Sequence, residues 1–132
     1  MGRKKKFKPN TWESVGENTL SATLYSTMLQ SKAYKSLSNN AKVLYTYMKL
    51  QLYGQKNVPD PDGLNRACFY FNKAMWLDDK EHPESYGLYK NGKQFKRDID
   101  QLVKYGFIDV VEDNHTTRKK NIYSFSYRWK EV

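Results

Sequence analysis

The chain has 132 residues, enough for one domain around one hydrophobic core. Apolar side chains make up 39 % of it, with eleven Tyr, six Phe and three Trp, which excludes a wholly disordered chain. Lys and Arg number 23 against 14 Asp and Glu, a net charge of +9, so polyanions are the first partners to consider, although such a charge also serves solubility.

Residues 1–20 read as a flexible basic arm. Arg3, Lys4, Lys5, Lys6 and Lys8 crowd its start, and Pro9-Asn10 follows. No apolar run succeeds this segment, so it is not a signal peptide, and no stretch reaches the roughly 18 apolar residues of a spanning helix. Gly2 suggests myristoylation, but Lys6 stands where that motif has Ser or Thr. Cys68 is the single cysteine, which excludes a disulfide within the chain and fits a reducing compartment. The expectation is a cytoplasmic protein without a membrane partner.

Residues 21–132 read as a single domain without internal repeats. Leu24, Tyr25, Met28 and Leu29 suit one face of a short helix. A second helix, 38–53, follows a Ser38 cap. Ala41, Leu44, Tyr45, Met48 and Leu52 form one apolar stripe, and Gly54 marks the stop. Val43, Tyr47 and Leu50 form a second stripe on the same helix, which implies either a central core position or a dimer contact.

Residues 54–66 are dense in turn formers and read as loop. Cys68 to Phe71 reads as a short strand, Lys73 to Asp79 as a short helix, and Asp78 to Ser85 as an acidic loop. The clearest element is a helix from Asn91 to Tyr105. Asn91 caps it, Phe95, Ile99, Leu102 and Val103 form its apolar face, and Gly106 ends it. Phe107 to Val111 and Ile122 to Trp129 read as two strands, the second with Tyr123, Phe125, Tyr127 and Trp129 alternating with polar residues. Between them lies a hairpin tip, about 113–121, containing Arg118, Lys119 and Lys120.

Opposite the apolar face of the 91–105 helix, the helical period places Lys93, Arg97, Gln101 and Lys104, with Gln94 at the edge. Arg bonds guanine bidentately, Gln does so with adenine, and Lys reaches guanine or phosphate, so these residue types suit a DNA-reading helix. Contacts concentrate near the start of such a helix, which selects Lys93, Gln94 and Arg97 for bases and Lys90 and Lys96 for phosphates. The plain alternative is an amphipathic helix with a solvated face. Asp98 and Asp100 interrupt the basic stripe, and Asp100 lies four residues from both Lys96 and Lys104, the spacing of surface ion pairs. Helix, glycine turn, strand, basic tip and aromatic strand follow in the order of a winged helix, where the tip flanks the reading helix. Arg118, Lys119 and Lys120 would then contact backbone or minor groove.

The stretches Ser31–Tyr45 and Lys93–Ile108 resemble winged-helix proteins of plasmids, phages and conjugative elements in Gram-positive bacteria. They are similar to the N-terminal domain of one class of plasmid replication initiators. The resemblance spans about residues 24–129. It implies double-stranded DNA binding, in replication or regulation of a mobile element, and a possible homodimer. The expected fold is α+β, mainly helical: a winged helix-turn-helix with a small antiparallel sheet and a C-terminal β-hairpin wing.

Other motifs lead elsewhere. Gly87 to Lys93 matches seven positions of a phosphate-binding loop, but Gln94 stands where the magnesium-holding Ser or Thr belongs, and no apolar strand precedes it. His82, His115 and Cys68 lack metal-ligand spacing. No nucleophile–base set or carboxylate pair can be argued, so neither an enzyme nor a cofactor is expected. Two alternatives to duplex binding stand. One is a single-stranded nucleic-acid binder using Tyr123, Phe125 and Tyr127 as a stacking platform. The other is a protein-interaction adaptor using the apolar helix 38–53.

Overall fold

One serine, Ser31, links the first two helices of the described residues. The Ser31 hydroxyl donates to Met28 O at 2.6 Å and accepts the Tyr34 N–H at 3.1 Å, so it closes α1 (Ser26–Leu29) and opens α2 (Lys32–Ser36). The computed structural model describes residues 21–54, 58–113 and 121–132. The expected basic arm, residues 55–57, and residues 114–120 of the expected hairpin tip, with Arg118, Lys119 and Lys120, lie outside them.

Ser38 caps α3 (Asn39–Gly54), its hydroxyl accepting the Ala41 N–H at 3.1 Å. The expected stripe of Ala41, Leu44, Tyr45 and Met48 is buried, with Leu52 packed at the edge of the core. The second stripe divides. Val43 remains 46 % exposed and Leu50 is half-buried, whereas Tyr47 packs on Tyr86 with ring centroids 4.6 Å apart. After α3, Asp60 organises the loop by accepting backbone N–H groups of Asp62 and Arg66 and the Arg66 guanidinium. Those bonds, the guanidinium's first, hold its carboxyl far below the usual carboxylate range.

The remaining elements are β1 (Cys68–Tyr70), α4 (Lys73–Trp76), α5 (Gly92–Lys104), β2 (Ile108–Glu112), β3 (Ile122–Phe125) and a 3-10 turn over Arg128–Glu131. The three strands form one antiparallel sheet in the order β1-β3-β2. Cys68 faces Ser124 and Val110 faces Tyr123, and the β2–β3 register shifts between Val110 and Glu112. Helices α3 and α5 cover one side of the sheet, around Leu44, Met48, Phe69, Leu102, Phe107 and Ile108. The chain is thus α+β with a small antiparallel sheet. No described helix is long and apolar enough to cross a membrane.

Two elements are shorter than their patterns suggest, for tertiary reasons. The helix expected over 73–79 stops at Trp76, because the next residues bridge to the segment before α5 instead. Asp78 N–H donates to Tyr89 O at 2.7 Å and Tyr89 N–H to Trp76 O at 3.0 Å. The strand expected over 122–129 stops at Phe125. There the Ser126 hydroxyl accepts the Arg128 N–H at 3.2 Å and turns the chain, leaving Tyr127 79 % exposed and bringing Trp129 parallel to Phe107.

Candidate nucleic-acid interface

The α5 helix begins where Asn91 Oδ1 accepts the N–H groups of Lys93 (3.1 Å) and Gln94 (3.3 Å). Those two amides would face a phosphate in a phosphate-binding loop; here the cap takes them. Phe95 anchors the first turn. It stacks on Trp76 at 4.1 Å with 10° between planes and meets Tyr89 edge-on at 5.6 Å. Ile99 and Leu102 complete the buried face.

Arg128 holds the other end. Its Nη2 donates to Val103 O (3.3 Å), Ile108 O (3.2 Å) and the Asp109 carboxylate (2.5 Å). A cation at a helix C-terminus meets carbonyls that lack helical partners and the negative end of the dipole. The sequence marks Arg128 only as a polar residue in a strand. No local pattern reveals this role, because its partners lie 19 to 25 residues away.

Six of the expected contact residues stand exposed on or just before α5: Lys90, Lys93, Gln94, Lys96, Arg97 and Lys104. Among the described residues, none of the five cations forms an ion pair, and the expected Lys96–Asp100 and Asp100–Lys104 pairs do not form. Lys104 Nζ lies 5.4 Å from the Tyr105 ring centroid. Lys96 and Asp100 also border a groove of about 330 Å³ between α5 and the sheet, floored by Phe95, Ile99, Val110 and Tyr123.

Gln101 departs from the expected free face. It is half-buried, and its Oε1 accepts the Ser38 N–H at 2.9 Å. The helical wheel centred on Phe95, Ile99 and Leu102 misses this because α5 packs toward the flank that carries Asp98 and Gln101. Asp98 is likewise not a solvated charge. It is 5 % exposed and accepts the Tyr89 hydroxyl at 2.5 Å and the Ser38 hydroxyl at 3.4 Å. Burial, and then the Asp98 hydrogen bond, push the Tyr89 phenol well above its ordinary value.

The aromatic strand does not present a stacking face. Tyr123 is buried, and Phe125 stacks on Phe69 at 4.8 Å, leaving Tyr127 alone of the three exposed. Charge is distributed unevenly. The described residues hold 14 Lys and Arg against 12 Asp and Glu, so most of the chain's +9 belongs to residues 1–20, Lys56 and residues 114–120. Among the described residues, no three His, Cys, Asp or Glu side chains group to hold a metal. Neither a family model, nor a curated protein, nor a solved structure matches the chain.

Proposed function

We propose that the chain is a winged-helix protein that binds double-stranded DNA sequence-specifically. In this reading α5 enters the major groove, and the basic tip, about 113–121, lies against the flanking backbone. One observation carries the reading. Lys93, Lys96 and Arg97 stand exposed together at the start of a helix anchored on its other side, with no ion pair to a described residue. Free guanidinium and ammonium groups on a fixed helix are what base edges and phosphates require. The order of α3, β1, α4, α5, β2 and β3, with β3 central in the sheet, supports the winged-helix assignment.

The resemblance to winged-helix proteins of Gram-positive mobile elements supports a role in replication or regulation of such an element. A homodimer belongs to the same reading: Val43 and Leu50 give α3 an apolar surface, and two-fold DNA sites suit paired reading helices. The first experiment is a titration with duplex and single-stranded DNA at several salt concentrations. If about five phosphates are neutralised, log K for duplex falls with log salt at a slope of roughly −4 to −5. A flat dependence, or equal affinity for the single strand, contradicts the reading.

A further inference from the structure

Two side chains of α5 turn from its exposed face and meet at the start of α3. Asp98 accepts hydrogen bonds from the Tyr89 hydroxyl (2.5 Å) and the Ser38 hydroxyl (3.4 Å), and Gln101 Oε1 accepts the Ser38 N–H (2.9 Å). Ser38 in turn accepts the Ala41 N–H at 3.1 Å, so the cap of α3 is also the partner of two α5 residues.

For a helix that approaches phosphates, a buried carboxylate is doubly unfavourable. It loses hydration, and its charge repels the ligand. A leucine there would avoid both costs. What the carboxylate adds is direction. Apolar contacts at Ile99 and Leu102 hold α5 against the core but tolerate small rotations, whereas hydrogen bonds are directional, and the one from Tyr89 is short at 2.5 Å while the one from Ser38 is longer at 3.4 Å. The negative charge also faces the N-terminus of α3, where the helix dipole favours it.

We propose that Asp98, assisted by Gln101 and Ser38, is a positioning residue that sets the rotation of α5 and therefore the direction in which Lys93 and Arg97 point. This rests on the duplex-DNA reading of α5. Asp98 touches no ligand itself; it acts through the orientation of its neighbours.

Charge and positioning predict opposite results for Asp98→Ala. If the carboxylate matters only as a charge, its removal tightens binding to every duplex. If it positions the helix, affinity for a selected site falls while affinity for a scrambled duplex holds or rises. The ratio of the two should then drop by roughly tenfold, the weight of about one direct base contact. Both affinities are measured well below the unfolding midpoint, with circular dichroism to confirm native helix content. Ser38→Ala, which lies off α5, should lower the ratio in the same direction, and Ser38→Thr should restore it by returning the hydroxyl. An unchanged ratio in folded Asp98→Ala protein overturns the positioning role and leaves the DNA reading intact. Should that variant not fold, an unchanged ratio for Ser38→Ala is the overturning result. Absence of duplex binding by the wild-type chain overturns both.

Discussion

Gly106 has φ +83°, and a Cβ there would lie 2.5 Å from Trp129 N and 2.6 Å from the Arg128 carbonyl carbon. Gly106→Ala therefore combines left-handed strain with a clash against backbone. It displaces the turn that holds Trp129 on Phe107 and Arg128 on the end of α5. A loss of about 3 kcal/mol is expected in denaturant unfolding. Gly63, at φ +68° with nothing within 4 Å, is the control; Gly63→Ala should cost only about 1–2 kcal/mol. Equal costs would contradict the packing account. The sequence shows Gly106 as a helix stop, but its contact with residues 128 and 129 depends on a turn that no local pattern announces. Tyr45 gives a second expectation at this scale. Burial, its largest cause, pushes its phenol from 10.0 up to about 12. The unfolded chain loses this proton first, so the stabilisation is complete below pH 10 and is lost as pH rises toward 12. The melting temperature should fall over that window, and Tyr45→Phe should make the fall shallower by about 2 kcal/mol across it.

At the scale of elements, α5 depends on Phe95, which Trp76, Phe71 and Tyr89 surround. Phe95→Ala should destabilise the fold by about 3–4 kcal/mol, read as a lower denaturation midpoint. A cost under about 1 kcal/mol would mean that the aromatic cluster does not seat the helix. Surface on α3 leads to the expectation of a dimer. Light scattering should give twice the chain mass, and Val43→Glu should return a monomer; a wild-type monomer with and without DNA rejects the dimer. The sequence locates α3 and α5 best, where a period repeats through Ala41, Leu44, Tyr45 and Met48 and through Phe95, Ile99 and Leu102, and it also locates α1, β1 and β2 to within a residue or two of their ends. The α2 helix has five residues, too few for a period, and its cap is the Ser31 hydroxyl accepting the Tyr34 N–H. Strand β3 ends early because Ser126 and Arg128 bond within the turn, and a side-chain alternation of Tyr, Phe, Tyr and Trp carries no sign of that. Gln101 escapes the helical wheel for a similar reason: which flank of α5 packs is decided by Ser38, 63 residues earlier.

Across the whole molecule, the described residues are close to charge balance, and the excess of Lys and Arg belongs to residues 1–20, 55–57 and 114–120. Removing residues 1–8, or neutralising Arg118, Lys119 and Lys120 together, should weaken binding about equally on all duplexes. The salt slope should become shallower by about one unit for each phosphate that is no longer neutralised. Unchanged slopes would mean that these segments serve solubility and do not touch the duplex. The central claim is that α5 reads bases, and Arg97 tests it most directly, since it is exposed near the helix start without an ion-pair partner among the described residues. The decisive measurement is the affinity of Arg97→Ala for one selected duplex and one scrambled duplex at the same salt concentration. The account predicts a loss of about 1–3 kcal/mol on the selected site and a much smaller loss on the scrambled one. A loss by the same factor on both would show that α5 contacts only backbone, and the assignment of the reading helix would be wrong.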